Sequence, residues 1–508
     1  MNYGALFHAT LPETVLEIAA LLVIVVDLGL LRKAAAQTRI AVAALVGVAG
    51  CGLALWAVSV AGPYSNGNDV LLAAGGSAGV AQVAILVLTA LTLLLFIDSE
   101  FTRNAGEYVS VVLMAAAGGL IIAAAQDLLV IFTGLELLSL GLYILTAFAK
   151  QSGKSAESAI KYYLFGGMSA AFLLFGFSYL YGLSGSTSLQ KIIQESHFAS
   201  IAGGAPLLTL ALVMVAVGLG FKVAAVPFHL WAPDTYEGAP APAAAFIASV
   251  SKVASFALLI SISTAMLHAF DMATSVQALA LNGQPSKVFG AAAPWSLILT
   301  ILSVGSMVLG NLAALAQSSV RRLLAYSAIA HAGYILLGLA FFSTTNASSQ
   351  AILYYIVTYG LTTIGAFGAV GVVERATGSD KLDAFLGLQK RNPLLAAILL
   401  VLFLSLAGIP PLVGFWAKFN LFAAVLGVGA GKVPLILVAL AVAFSAVSLY
   451  YYLQVLKRVY VLPATDESPI RAGFVTAAVL VLTAAAVLVL GCFPALLQGW
   501  IAGFYPAI

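Results

Sequence analysis

The stretch PLLTLALVMVAVGLGFKVAAVPFHLWAPDTYEGAPAP, residues 206–242, decides the fold class. It opens as an apolar run long enough to cross a hydrocarbon layer as a helix, which takes about 20 residues. A lone ammonium, Lys222, lies toward the end of that run. Five residues on, Pro227 removes a backbone donor and clashes with the preceding turn, and Pro233 closes the segment. A charge at mid-bilayer costs about 2.5–3.5 kcal/mol. Carbonyls freed by a break at membrane depth are tolerated only where they face protein or water. A lysine beside a helix break therefore marks a hydrated interior site.

The rest of the chain repeats this signature. It is 62% hydrophobic and 8% charged, with a mean hydropathy of +1.08 over 508 residues, which excludes a soluble globular domain. Continuous apolar runs place fourteen helices at 12–31, 40–62, 78–98, 107–126, 127–149, 159–183, 206–232, 239–264, 295–317, 322–343, 350–373, 393–426, 434–456 and 472–495. The runs do not alternate, so membrane strands are not expected. The twelfth span carries a second break: Gly408, Pro410, Pro411 and Gly414 precede Lys418. Broken helices five positions apart point to a transporter repeat. Helices 4–8 then form one unit and helices 9–13 its inverted counterpart. The expected organisation is 1–106 for helices 1–3, 107–264 and 295–457 for the two repeats, and 472–508 for the last helix. The connections 184–205 and 265–294 read as the longest loops, the first with a short interfacial helix. Glu13 and Glu17 in the first span, without a basic leader, argue against a cleaved signal peptide.

Basic residues orient the bundle. With the N-terminus outside, sixteen of the 22 lysines and arginines fall on the cytoplasmic side, including Arg32, Lys33, Lys150, Lys154, Lys161, Arg321, Arg322, Lys390 and Arg391. Lys191, Lys287 and Lys432 fall outside. This is a strong positive-inside bias. It predicts a multi-pass inner (plasma) membrane protein with both termini on the outer, periplasmic side. The net charge of +3 follows topology and carries no nucleic-acid signal. Cys51 and Cys492 have no ligand neighbours, and no Cys/His cluster could hold an iron–sulfur centre or haem. No glycine-rich turn opens a dinucleotide site.

The chemistry is then sought in four charged groups that sit inside long apolar stretches: Glu136, Lys222, Lys252 and Lys418. Such groups are functional by default. Burial favours the neutral form of each and a nearby opposite charge the ionised form, so moving a partner switches the group. Each could instead be a structural ion pair. His331 has two exchangeable ring nitrogens suited to a relay, or it could simply bond a neighbouring helix. His229 lies beyond the seventh-span break and could line an inner mouth. Tyr143, Tyr162, Tyr163, Tyr326 and Tyr334 could support water chains. Asp127, Asp234 and Glu237 sit near span ends and read as solvated.

Four stretches carry a resemblance: Phe228–Pro242, Gly408–Phe419, Lys161–Gly166 and Arg322–Ser327. Together they resemble the antiporter-like subunits of the proton-pumping NADH:quinone oxidoreductase, complex I. The run Tyr236-Glu237-Gly238-Ala239-Pro240 and the lysine at 418 are most similar to subunit N. The resemblance implies a proton-translocating, non-redox subunit of a translocase. Glu136 and Lys222 would form a fifth- and seventh-helix pair, Lys252 the connecting lysine, and Lys418 the gate of the outer half-channel. It implies no cofactor here, with FMN, iron–sulfur clusters and quinone in partner subunits. Expected partners are the neighbouring antiporter-like subunit M, the small subunits K and J, the lipid bilayer and protons, with no nucleic acid. Two other readings stay open: an Mrp-type cation/proton antiporter subunit, and a proton-inactive scaffold of the membrane arm.

Overall fold

The computed structural model describes residues 3–66, 69–192, 205–280, 292–343, 346–428, 431–464, 466 and 468–505. Among these described residues, twelve helices are long and apolar enough to cross a bilayer. They are α3 (Ala36–Val60), α4 (Gly76–Phe96), α5 (Ala105–Ala124), α6 (Leu128–Thr146), α7 (Gly153–Ser184), α8 (Ala205–Val223), α10 (Ala241–Ala280), α11 (Ala292–Leu315), α12 (Val320–Ala340), α13 (Asn346–Thr377), α16 (Lys432–Tyr460) and α17 (Phe474–Cys492). Two further crossings are compound. The first is α2 (Leu11–Val25) continued by a π segment, Val26–Leu30; the other is α14 (Pro393–Ala407) followed by α15 (Val413–Val428). Short helices α1 (Tyr3–Ala9), α9 (Trp231–Gly238) and α18 (Pro494–Ala502) lie at the ends of crossings.

The helical count matches the apolar runs, with differences at the edges. A two-stranded antiparallel ribbon, β1 (Tyr64–Asn66) and β2 (Asp69–Leu72), follows α3, where no strand was expected. It joins a connection rather than a span, so no backbone group is left open within the apolar layer. Helix α10 runs on to Ala280 through much of the expected loop 265–294; residues 281–291 lie outside the described segments. So do 193–204, where the interfacial helix was expected. Asp127 is buried, not solvated. Its carboxylate accepts from the Leu129 (2.9 Å) and Val130 (3.4 Å) amides and from the Thr187 hydroxyl (2.6 Å). A side chain preceding the first helical turn satisfies amides that otherwise have no partner.

Burial sorts the helices into centre and periphery. The apolar stretch of α10 is wholly buried, and those of α12 and α13 are 94% and 89% buried; α7 and α16 are only 33% and 22% buried. The centre is thus α10, α12 and α13. Apolar burial alone gives little drive between helices in lipid, so close backbone approach does more. Glycines supply it at the α11–α12 contact. A Cβ on Gly310 would sit 2.7 Å from the Ala330 amide nitrogen, and one on Gly333 equally close to that of Met307. The π segment of α2 is held by charge. Buried Asp27 accepts twice from the Arg39 guanidinium at 2.7 Å and once from the Gly106 amide at 3.1 Å, tying α2 to α3 and α5.

Both broken crossings end their first helix on a left-handed residue. Helix α14 closes at Gly408, φ +88°, where the Gly408 and Ile409 amides bond back to Leu404 and Ser405 carbonyls. Glycine is the usual residue for this termination. Helix α8 closes at Ala224, φ +59°, a conformation that costs an L-residue about 1–2 kcal/mol. The two positions therefore predict opposite outcomes. Ala224→Gly should leave thermal stability unchanged or raise it by up to about 1 kcal/mol. Gly408→Ala should lower it by about 1–3 kcal/mol, because the new Cβ would also lie 2.9 Å from the Lys418 Cδ. Thermal melting of the assembled protein in detergent checks both; equal effects would show that the left-handed turns are not what fixes the breaks.

Candidate functional site: a buried line of lysines at two helix breaks

The break after α8 frees backbone carbonyls that side chains then take up. The Trp231 indole donates to Phe221 O at 2.9 Å, and the Lys252 ammonium donates to Val223 O at 3.3 Å and to Ala328 O on α12 at 2.7 Å. The Val226 amide is bonded to Ser306 Oγ at 2.9 Å, which pins the break to α11. At the second break, Lys418 on α15 donates to Leu406 O (3.1 Å), Ala407 O (2.9 Å) and Ser445 Oγ (2.8 Å). Both lysines thus sit on the carboxyl end of a broken helix, where the partial negative charge of the helix dipole favours a cation. Both are buried.

Lys222, in the last turn of α8, points the other way, toward α6. Its ammonium donates to Ser139 Oγ, and Ser139 donates to Leu135 O. The expected direct pair with Glu136 is not formed among the described residues. The carboxylate acts on Lys222 electrostatically from one turn away, and the Ser139 hydroxyl takes the contact. The reason is the helical register. Glu136 is only half-buried and continues the exposed stripe Leu129, Thr133, Leu140 and Ile144 of α6, while Ser139 faces inward.

His331 joins the two breaks. Its ring lies 4.9 Å from that of Tyr359, whose face is 5.9 Å from the Lys252 ammonium. On its other side the ring is 5.8 Å from Tyr334, which lies 5.4 Å from the Lys418 ammonium. Nδ1 is 2.8 Å from the Tyr355 hydroxyl on α13. A void of about 10 Å3, enough for one water, lies among His331, Thr358, Tyr359, Ser405 and Gly414. His229 lies in the first break, buried, with Nδ1 lacking a partner among the described residues and its ring 6.5 Å from Tyr326. It is not joined to His331 by any hydrogen bond among the described residues. Tyr143 and Tyr162 pack edge to face at 4.8 Å beside Ser139, whereas Tyr163 is exposed.

The sequence reading missed two groups. One is the buried network Tyr334–Asn311–Tyr451: the Asn311 amide donates to Tyr334 (3.1 Å) and Met307 O (2.7 Å) and accepts from Tyr451 (3.2 Å). Tyr452 bonds Ser327 beside it. Asn311, Tyr451 and Tyr452 sit among apolar neighbours and carry no charge to draw attention. The other is the cluster around Asp234 and Glu237, which are not merely solvated. Arg322 donates to Asp234 at 2.7 Å and to Glu237 at 3.0 Å; Lys161 donates to Asp234 at 2.8 Å and Lys154 to Glu237 at 3.0 Å. Partial burial pulls both carboxyls upward in pKa, but the hydrogen bonds from their basic partners outweigh it and hold both below the usual carboxylate range. The cluster fastens α9 to α7 and α12. A lysine seven residues from the next on α7 was readable in the sequence; that both reach α9 was not.

Among the described residues no group of three or more His, Cys, Asp or Glu side chains is placed to hold a metal ion. Lys252 and Lys418 are joined through Tyr359, His331 and Tyr334, while Lys222 is seated on Ser139 near the half-buried Glu136. Such a series can bind and pass protons.

The geometry has close counterparts. The family profile described as "NADH:quinone oxidoreductase/Mrp antiporter, TM" matches residues 125–293 and 285–446. NADH-quinone oxidoreductase subunit N 2 of Acidobacterium capsulatum is 46% identical, over 99% of this chain and 99% of its own. In the structure of respiratory complex I from Thermus thermophilus with bound aureothin, one chain superposes with a TM-score of 0.74 at 33% identity. The match covers 96% of this chain and 98% of that one. A chain of the Mrp complex from Dietzia sp. DQ12-45-1b shares the fold, with a TM-score of 0.77 at 22% identity, over 97% of this chain and 51% of that one. On the strength of the family match and the near full-length relative, the chain belongs to the subunit N family of NADH-quinone oxidoreductases.

Proposed function

We propose that this chain is a proton-translocating membrane subunit of an NADH:quinone oxidoreductase, coupling electron transfer in other subunits to proton movement through Glu136, Lys222, Lys252, His331 and Lys418. The observation that carries this reading is the buried series itself. Two ammonium groups, each seated on a broken helix end, flank one imidazole within 6 Å ring contacts on either side. A purely structural scaffold has no use for lysines in an apolar interior, since hydrophobic groups would fill the space at lower cost. The near full-length subunit N relative supports this over the Mrp-type antiporter reading.

The finer points belong to the same proposal. The face bearing Arg32, Lys150, Arg322 and Lys390 is cytoplasmic by the positive-inside rule, which places both termini outside in the plasma membrane. Residues 107–264 and 295–457 form two inverted repeats, each contributing one broken helix. Glu136, half-buried on an otherwise apolar stripe of α6, calls for a neighbour that shields it from lipid. We assign that face to the adjoining membrane subunit, M or K, with J nearby; FMN, iron–sulfur clusters and quinone belong to partner subunits. His229 lines the inner mouth.

Proton movement then follows from the contacts. A positive charge arriving on one lysine makes its neighbours less willing to hold theirs. Lys252 can pass its proton across Tyr359 and His331 toward Lys418. Lys418, on the outer-side half of the broken helix, releases it when Lys252 is recharged.

Two substitutions test the ends of the series. Glu136→Gln is isosteric, so the complex should assemble, yet pumping in inside-out vesicles should fall on the order of tenfold or more. A wild-type proton-to-electron ratio would remove Glu136 from the path. Lys418→Arg keeps the charge but cannot release a proton at working pH, and should be as inactive as Lys418→Ala at matched complex levels. Wild-type pumping by Lys418→Arg would make Lys418 an electrostatic fixture and end its release role.

A further inference from the structure

We infer that protons reach Lys252 from the cytoplasm by a wetted line through the hydroxyls of Tyr236 and Tyr359, separately from the Glu136–Lys222 pair. This rests on the reading of Lys252 as a proton carrier.

The line begins at a cavity of about 870 Å3 on the basic face, lined by Glu237, Ala239, Arg321, Gly368, Gly371 and Glu374 among others. At its floor the buried Arg321 is fixed by Glu374 and by the Ala239 carbonyl. Tyr236 is the residue before Glu237 in the chain and is fully buried beyond that floor. Its ring meets Phe367 edge to face at 5.5 Å, directly beside Gly368 of the cavity wall. Tyr359 lies eight residues further along α13, about 12 Å deeper by helical rise. The Tyr236 ring is near enough to act on it electrostatically. Tyr359 then faces the Lys252 ammonium at 5.9 Å and the His331 ring at 4.9 Å.

Neither hydroxyl has a hydrogen-bond partner among the described residues, although both side chains are buried; what sets them apart from Tyr108 and Tyr354, which share this, is their place between the cavity wall and Lys252. The adjoining Thr235 hydroxyl and the Ser255 hydroxyl, one turn from Lys252, are unpartnered as well. Buried polar atoms are nearly always satisfied, by protein or by ordered water. The unmet hydroxyls of Tyr236, Thr235 and Tyr359 between the cavity wall and the ammonium, with Ser255 one turn past it on α10, mark where water completes the bonds. A hydroxyl so placed accepts a proton from one water and donates its own to the next, with no net change in its charge.

Beside Lys418 the polar groups around Asn311 are paired instead. There Asn311 has its amide fully used by Tyr334, Met307 and Tyr451, and Tyr452 bonds Ser327. An amide neither takes nor yields protons readily, and a satisfied network leaves no bond for water to fill. The inferred line would thus supply Lys252 from the cytoplasmic side, while the paired Asn311 network offers Lys418 no comparable set of unmet hydroxyls.

Tyr236→Phe and Tyr359→Phe remove only the hydroxyls and should leave assembly and thermal stability intact. Each should lower pumping several-fold in inside-out vesicles, and the loss should shrink as the medium on the cytoplasmic face is acidified, since mass action then drives entry. A structural defect would not respond to pH in this way. Tyr354→Phe is the control: its hydroxyl is also buried and unpartnered, but it lines a different cavity, with Gln350 and Asn420. It should pump as wild type. If the Tyr236 and Tyr359 variants pump normally while Lys252→Met does not, the line is wrong and the role of Lys252 stands. If Lys252→Met pumps fully, the reading beneath the line fails. If Tyr354→Phe falls as far as Tyr236→Phe, the hydroxyl loss is acting through packing and the line is overturned.

Discussion

An ammonium group and the exposed end of a helix solve each other's problem in this membrane interior. A broken helix leaves carbonyls that water would otherwise have to meet, and an unpaired lysine in hydrocarbon is costly. Lys252 on Val223 O, and Lys418 on Leu406 O and Ala407 O, satisfy both needs at once. The rest of the structure arranges itself around these two contacts. The central helices α10, α12 and α13 exclude lipid from them, and the outer helices shield the centre.

The same contacts make the site movable. Neutral acceptors hold the two buried lysines in place, and no carboxylate forms a salt bridge with either among the described residues. A full ion pair would fix the proton; carbonyls and hydroxyls let it leave. At the edge, Lys222 is held by Ser139, while Glu136 lies on the outer stripe of the same helix as Ser139. Charge elsewhere in the chain is used differently. Asp27 with Arg39, and Asp234 and Glu237 with Arg322, Lys161 and Lys154, are direct pairs that fasten helices together.

His331 owes its place to two unrelated constraints. It lies on α12, which packs backbone to backbone against α11 through Gly310 and Gly333. Its Nδ1 is also held 2.8 Å from the Tyr355 hydroxyl on α13. A histidine set between two lysines can carry a proton from one to the other while both stay seated.

Apolar runs and prolines were enough to count the crossings and locate both breaks, because a membrane span must be long, helical and satisfied within itself. The charged residues inside those runs were legible for the same reason: nothing else in an apolar segment is as costly. What the linear order could not determine was contact. Glu136 reads as the partner of Lys222, yet helical register turns it to the outer stripe of α6 and gives the contact to Ser139. Asp127, Asp234 and Glu237 read as solvated because they end spans, yet one caps a helix and two are clasped by basic residues as far as 88 positions away. Asn311, Tyr451 and Tyr359 gave no signal, and Tyr236 only as part of a motif, since an uncharged polar side chain in a helix is unremarkable until its neighbours are known. Sequence determined which groups the membrane would have to accommodate. Tertiary packing alone decided which of them touch, because burial and register, not spacing along the chain, set the distance over which a proton can move.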